Sequence, residues 1–533
     1  MTSLIGTGQL LRLALRRDRW RLPIWIVALT VLVAVVAVLL DDLVPTVEER
    51  VRMAAMVGVN PALQAVLGPI FDATTLGGLI AWRLSFFSIV LVPLMALLAV
   101  VRHTRAEEET GRLELLGSTV MGRRAPLTAA LIVAGGASVI IGMTVTASLV
   151  ALGEGMSGSV ALGLSYALAG GVFAGVAAVA VQLTESSRAA TGIALGVLGI
   201  SYALRGVGDA ATDAGLSWLS WAPPVGWIIQ IRPFADERWW VAGLLAALTL
   251  ALVLVADVLV AKRDLGAGLV PPRRGPAEAT PRLGGPLGLA WRLHRASLLG
   301  WAFGLFALGA MYGGVAAGVG DMLVDSPEME SIFRLIGGER ALMDAFFATT
   351  MAIVGLITSG YIIHAILRLR GEETSLRSEQ VLSTGVGRAP WALSHLAVAA
   401  FGGLVLLVAA GLGSGLAHGL RVGDLGGEMP RLLGAAVVHL PAVLVLGGLA
   451  LALFGLAPRA LPAVWAALVA FLVLGQLGPL LQLDQWLMNL SPFTHVPALP
   501  GGDLALTPLV GLVATAAGLA VTGLVSFRLR DVG

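Results

Sequence analysis

The sequence predicts an all-α polytopic membrane protein, with 12 transmembrane helices arranged as a parallel 6+6 tandem repeat. Three observations predict it. Hydrophobic residues fill 57% of the 533 positions and charged residues only 13%, against about 25% charged in an ordinary soluble protein. Apolar runs that meet the roughly 20 helical residues needed to cross a hydrocarbon core recur along the whole chain. One charged segment, lying between two such runs, occurs twice.

From the start of the chain, Leu4, Ile5, Leu10, Leu11, Leu13 and Leu15 come before or among Arg12, Arg16, Arg17, Arg19 and Arg21. The apolar part leads and the basic part follows, the reverse of a cleavable signal. An amphipathic helix on the cytoplasmic face is expected there. Spans follow at 22–40, 79–101, 126–152, 159–183, 189–205 and 239–261, then at 298–320, 346–367, 390–413, 432–456, 461–482 and 508–527. The segments 41–78 and 321–345 have room for short amphipathic helices. Residues 206–238 and 483–507 carry Trp218, Trp221, Trp227, Pro223, Pro224, Trp486, Pro492, Pro497 and Pro500, and read either as short re-entrant helices or as loops. The Gly- and Pro-rich stretch 264–286 is the expected cytoplasmic linker. The domains are then 1–263, a first six-span unit with its amphipathic helix, and 287–533, a second six-span unit.

The repeat runs through each half. Arg16, Arg19, Leu22 and Trp25 match Arg292, Arg295, Leu298 and Trp301, so both halves are expected to open with a basic leading helix. Trp218-Leu219 and Pro224 match Trp486-Leu487 and Pro492, and Arg263-Asp264-Leu265-Gly266 matches Arg530-Asp531-Val532-Gly533. An even number of spans per half makes the copies parallel. With both termini inside, cytoplasmic segments hold 25 of the 35 Arg and Lys residues and external ones 9. That bias supports the orientation.

The duplicated segment is Arg105 to Arg123 and, 265 residues on, Arg370 to Arg388, with nine of nineteen positions identical. Charged pairs dominate the identities: Arg105/Arg370, Glu107/Glu372, Glu108/Glu373, Arg112/Arg377, Glu114/Glu379 and Arg123/Arg388. Glu108 and Arg112 stand four apart, as do Glu373 and Arg377, in the acid-first order that supports a short helix. A solvated loop has no need to reproduce charge positions in two copies, so the segment reads as a docking surface.

Other chemistry is excluded or weak. The chain has no cysteine, which removes disulfides and thiol catalysis. Its only lysine, Lys262, lies between Ala261 and Arg263, so no phosphate-binding G-x-x-x-x-G-K-[ST] loop exists. Gly153 to Gly158 fits G-x-G-x-x-G but sits between two spans with no preceding strand, and reads as a turn. Spacings such as Gly192/Gly196, Gly300/Gly304 and Gly314/Gly318 are common by chance among 68 glycines. Ionisable groups inside spans are candidates by default. Arg83 either snorkels to the interface or contacts an anionic substrate. Asp257 is expected to pair with Lys262 and Arg263. His364, His395 and His439 are helix-bonded or form a proton relay. Gln182, Tyr202, Tyr361 and Gln476, with Arg83 and His439, are candidates for a polar substrate path.

The run from Glu107 to Leu116 followed by Gly122-Arg123 resembles the signature of ABC-2 type transporter permeases. The 6+6 layout and the Arg-Asp-x-Gly closures resemble the actinobacterial subgroup described as exporters of polyketide antibiotics and multidrug efflux permeases. The resemblance implies that the segment is the coupling helix, with Arg105, Glu107, Glu108, Gly111, Arg112, Glu114 and Arg123, and Arg370, Glu372, Glu373, Arg377, Glu379 and Arg388, meeting a separate ATPase. The second copy departs from the signature at Ser375, Leu376 and Gln380. The expected protein is a permease of a bacterial plasma membrane that exports amphipathic or lipophilic compounds and is not itself an enzyme. ATP and Mg would sit on a partner ATPase present in two copies; no other cofactor and no nucleic-acid partner is expected. The alternatives are a proton-coupled 12-span transporter, whose G-x-x-x-D-R-x-G-R-[RK] loop is absent here, and a membrane-embedded transferase using lipid-linked donors.

Overall fold

A computed structural model of the chain describes residues 2–58, 61–117, 120–210, 215–271, 278, 283–324, 339–477 and 484–530. Among the described residues every regular element is helical and no strand occurs. Two compact units form, Met1–Gly275 and Pro276–Gly533. Eleven helices are long and apolar enough to cross a membrane, and the protein is polytopic and all-α as its composition demands.

Six of these spans fall in the first unit: Arg21–Leu43, Leu76–Glu109, Ala125–Ala151, Met156–Leu183, Ser187–Ala210 and Trp239–Lys262. Five fall in the second: Pro286–Ala316, Met343–Thr374, Arg388–Val422, Leu425–Leu456 and Leu506–Leu529. The span expected at 461–482 is represented by Ala463–Leu477, a helix of 15 residues, and 478–483 lie outside the described residues. Fifteen residues fall short of the roughly 20 that a perpendicular crossing requires.

The basic leading helices differ between the halves. In the first, Thr7–Arg17 is a separate helix and Arg21–Leu43 starts after a break at Asp18. In the second, one helix of 39 residues runs from Pro286 to Val324, joining the basic segment to the span without interruption. Pro23 supplies the cause: it offers no N–H to the carbonyl of Arg19, and its ring crowds that carbonyl. The aligned residue in the second half is Leu299, which a helix accepts. The expectation of two equivalent leading helices is therefore corrected.

On the side of the membrane opposite the charged segments, Val47–Gly58 and Pro61–Leu67 are short helices, as expected within 41–78. Of the corresponding segment 321–345, residues 325–338 lie outside the described residues. The Trp- and Pro-rich stretch before the sixth expected span folds into a 3-10 turn at Ser217–Trp221 and a helix at Pro224–Ile229 whose Val225, Gly226, Ile228 and Ile229 are buried. The stretch before the last span holds two shorter turns, Gln485–Met488 and Pro492–His495. Gly153, at φ +93°, closes the turn between Ala125–Ala151 and Met156–Leu183.

Packing inside each unit depends on small residues. Water drives no association between helices in lipid, so contact comes from close backbone approach. In the first unit Leu84, Ile89, Val92, Tyr166 and Phe173 are buried in one core, and the outer helices Arg21–Leu43 and Trp239–Lys262 leave most of their apolar surface exposed, as a lipid-facing helix does. In the second unit Pro286–Val324 lies against Arg388–Val422. A Cβ on Gly313 would stand 2.3 Å from the carbonyl oxygen of Ser414, and one on Gly309 would stand 2.1 Å from that of Ala410. The Ser414 hydroxyl donates to the Gly309 carbonyl at 2.9 Å. The spacing pairs visible in the sequence, Gly300/Gly304 and Gly192/Gly196, have no neighbour within 4 Å of an added Cβ. Gly313→Leu should therefore lower the thermal stability of the purified protein in detergent by about 1–3 kcal/mol or more, the usual cost of overpacking. Gly304→Leu on the same helix should leave the melting curve unchanged.

Candidate functional site

The duplicated segments fold alike. In the first unit Arg105–Glu109 is a five-residue helix, and Arg112–Gly117 follows after a turn. In the second, Glu339–Thr374 carries Arg370, Glu372 and Glu373 near its C-terminal end, and Arg377–Leu382 follows. The turn needs a left-handed residue. Gly111 has φ +71° and Leu376, at the matching position, φ +59°. Leucine replaces glycine, but the backbone does not change.

This turn corrects the expected pairing. Glu108 does not reach Arg112, because the helix has already broken between them. Glu107 meets Arg112 at 3.6 Å and Glu372 meets Arg377 at 3.7 Å. Glu107 also takes Arg17 of the leading helix at 2.5 Å, while Glu372 takes Arg368 at 3.5 Å. Next to this contact, Asp18 is held at 2.6 Å by both Arg102 and His103. The start of the chain is tied to the same hairpin by Gly122 N–H donating to the Ile5 carbonyl at 2.8 Å and Arg124 N–H to that of Ser3 at 3.1 Å. Only glycine fits at 122, since a Cβ would lie 2.2 Å from the Ser3 backbone.

Glu108 points inward, between two guanidinium groups. Arg105 approaches one oxygen at 2.7 Å. Arg263, just beyond Trp239–Lys262, grips both oxygens at 2.6 and 2.8 Å. Such two-pronged charge-assisted bonds are among the strongest side-chain contacts. Arg105 is fully buried and spends its remaining donors on the carbonyls of Val181, Gly266 and Ala267. Gln182 accepts from Arg263 Nε at 2.5 Å, and Arg123 donates to the Arg263 carbonyl. Glu109 caps the helix Ser187–Ala210, accepting from the Ser187 N–H at 3.1 Å.

The same arrangement recurs in the second unit. Arg370 meets Glu373 at 2.7 Å, Arg530 holds the other oxygen of Glu373, and Arg388 donates to the Arg530 carbonyl at 2.6 Å. Arg530 also donates to the Phe454 carbonyl at 2.9 Å and lies over the rings of Phe454 and Phe527, 5.1 and 5.5 Å from their centres. Facing away from these clamps are Glu114 and Glu379, both exposed, and Arg112 and Arg377, whose side chains are 57% and 66% exposed. The thirteen proposed coupling residues thus divide into an inward set and an outward set. Arg263 and Arg530 were missed as site residues, although their duplicated closing motif was the signal for them.

Within each unit the described residues suggested for a substrate path have different partners. Arg83 is exposed on its helix. Gln182 belongs to the clamp. Tyr202 donates to the Val66 carbonyl at 2.7 Å, with Arg205 4.6 Å over its ring. Tyr361 is buried against Gly402, and its hydroxyl has no hydrogen-bond partner among the described residues. His439 Nδ1 lies 3.0 Å from the Ala435 carbonyl at the break between Leu425–Val437 and Leu440–Leu456. The Gln476 side chain lies outside the described residues. Asp257 pairs with Arg124 at 3.0 Å rather than with Lys262 or Arg263, a second correction. His395 bonds His294 at 3.0 Å. Among the described residues no group of three or more His, Cys, Asp or Glu side chains is placed to hold a metal.

Comparison with known proteins gives relatives of the chain. A family profile described as the C-terminal domain of the multidrug efflux system permease Rv1217c matches residues 283–528. The chain is 44% identical over 528 residues to the multidrug efflux system permease protein Rv1217c of Mycobacterium tuberculosis (strain ATCC 25618 / H37Rv), covering 99% of this chain and 95% of that protein.

The left-handed turn separates the two hairpins energetically. Gly111→Ala should cost about 1 kcal/mol, the penalty of a Cβ in this backbone region, because no neighbouring atom lies within 4 Å to add a steric term. Leu376→Gly should not destabilise the protein. Thermal melts of the two variants in detergent should therefore shift unequally.

Proposed function

The chain belongs to the family of multidrug efflux system permeases, and we propose that it is the membrane-spanning subunit of an ATP-driven ABC exporter. A multi-pass membrane permease of the efflux type follows from that kinship and from the helices. The ATP-driven part rests on one observation above all. Two matching hairpins present an outward charged rim, Arg112 with Glu114 and Arg377 with Glu379, in a chain with no phosphate-binding lysine loop. A surface reproduced in two copies suits a two-fold partner, here two copies of an ATPase carrying ATP and Mg. The proposed substrate class is amphipathic or lipophilic, the kind of compound a multidrug efflux permease, as the relative is named, would move out of a membrane.

In this reading the chain has twelve spans as six plus six, sits in a bacterial plasma membrane and keeps both termini and both hairpins in the cytoplasm. The 25-to-9 sorting of Arg and Lys supports that orientation. Hydrolysis in the partner displaces the hairpins, and that displacement switches the access of the substrate path. Among the described residues, the carboxylates within spans that proton coupling could use are paired with arginine: Asp257 with Arg124, Asp209 with Arg205 and Glu428 with Arg431.

The rim can be tested without touching the clamps. In inside-out vesicles containing the chain and its ATPase, Glu114→Arg with Glu379→Arg should lower ATP-dependent drug uptake at least about tenfold, or 1.4 kcal/mol. The ATPase should no longer co-purify, while the amount of chain in the membrane stays constant. Undiminished uptake, or uptake that persists without ATP and collapses with an uncoupler, would overturn the reading.

A further inference from the structure

The duplicated charges are the most visible docking signal in the sequence, yet the most strongly held of them are turned away from any partner. Glu108 and Arg263 have side chains only 6% and 8% exposed, and Glu373 and Arg530 only 9% and 19%. Each pair joins the hairpin to the residue immediately after the final helix of its unit: Arg263 caps Trp239–Lys262 and Arg530 caps Leu506–Leu529. Each closing arginine is then fixed from behind, because its own carbonyl accepts from Arg123 or Arg388.

We propose that Glu108 with Arg263, and Glu373 with Arg530, are positioning pairs that transmit hairpin displacement to the last helix of each unit. This deepens the reading of the chain as an ATP-driven permease and rests on it. Three observations carry the inference. First, the Arg-Glu-Arg clamp recurs in both units although ten of nineteen hairpin positions differ, and it recurs with the backbone contact of Arg123 and Arg388. Second, the contacts are directional and two-pronged in the first unit, so the carboxylate cannot slide against the guanidinium without losing bonds. Third, the clamped ends are themselves packed: Phe527 is buried against Phe454 and Trp391 beside Arg530, and Ala256 and Val260 are buried near Arg263, while only 17% of the apolar stretch of each helix is buried. A helix gripped at its end and exposed along one face moves with that end.

The clamp also reaches the segment after the sixth expected span. Arg105 donates to the Gly266 and Ala267 carbonyls, and the N–H groups of Leu269 and Val270 donate to the carbonyls of Gln182 and Leu183 at 3.0 and 2.9 Å. The stretch 266–270 is therefore carried by the hairpin and by the end of Met156–Leu183 together. Displacement of the first hairpin acts on both.

A purely structural staple predicts loss of folded protein on mutation, whereas a transmission link predicts loss of coupling. Full-length chain with its ATPase in vesicles distinguishes them. Glu108→Gln with Glu373→Gln is expected to lower drug transport at least about tenfold while drug-stimulated ATP hydrolysis stays within about twofold of the parent. Arg530→Gln alone, at the more exposed clamp, should give a milder form of the same split. Because the chain has no cysteine, Glu108→Cys with Arg263→Cys can be bridged by a short bis-methanethiosulfonate. Bridging should recover transport and reduction should abolish it again. The proposal is overturned if transport falls only in proportion to protein amount, if hydrolysis and transport fall together, or if bridging restores nothing. Failure of the ATP-driven reading shows separately, as parent vesicles whose transport does not depend on ATP.

Discussion

A single carboxylate held between two guanidinium groups organises the charged face of each unit. A buried charge is tolerated only when paired and hydrogen-bonded, and Glu108 and Glu373 meet that condition through arginines from two different parts of the chain. One arginine comes from the hairpin itself, and the other from beyond the last helix. The interaction thereby closes each unit, bringing together segments more than 150 residues apart in sequence. Removing the carboxylate leaves two guanidinium groups facing each other without an anion, whereas removing one arginine leaves the carboxylate paired with the other.

Everything between these clamps is governed by the membrane. Backbone groups must be satisfied within the helices, so the units are built from helices whose mutual approach is set by glycine, alanine and serine. Gly309 and Gly313 against Ala410 and Ser414 are the clearest case. In the first unit Gly142 and Gly163 approach each other as closely, with a Cβ on the former 2.4 Å from the carbonyl oxygen of the latter. Outer helices keep bulky apolar side chains toward lipid, where burying them against protein brings no hydrophobic gain.

The two copies are not equal, and the differences have local causes. Pro23 separates the first leading helix from its span, and beside that break Arg17 binds Glu107 of the first hairpin and Asp18 binds Arg102 and His103 at the end of the span before it. Leu299 leaves the second leading helix continuous, and there the hairpin is braced by Arg368 instead. Leu376 keeps the left-handed turn that glycine makes easily at 111. In the first unit the clamp arginine Arg105 is fully buried, while its counterpart Arg370 is 36% exposed. The first hairpin is therefore the more firmly anchored of the two.

Hydropathy alone determined the class, the positions of eleven spans and the turn at Gly153, because burial in lipid depends on the composition of a stretch of about 20 residues and not on its partners. The repeat of charged positions located both hairpins for the same reason: it is a property of linear order. What the charges do was decided only by tertiary structure. Whether Glu108 faces Arg112 or Arg263 depends on a backbone turn at Gly111 and on where a helix ending 155 residues later comes to lie. Glycine packing was equally illegible, since the spacing of Gly309 and Gly313 is no different from that of Gly300 and Gly304. Only the neighbour across the interface distinguishes a contact from an exposed face. Composition is a sum over local residues, whereas an ion pair or a helix crossing requires two distant segments to meet.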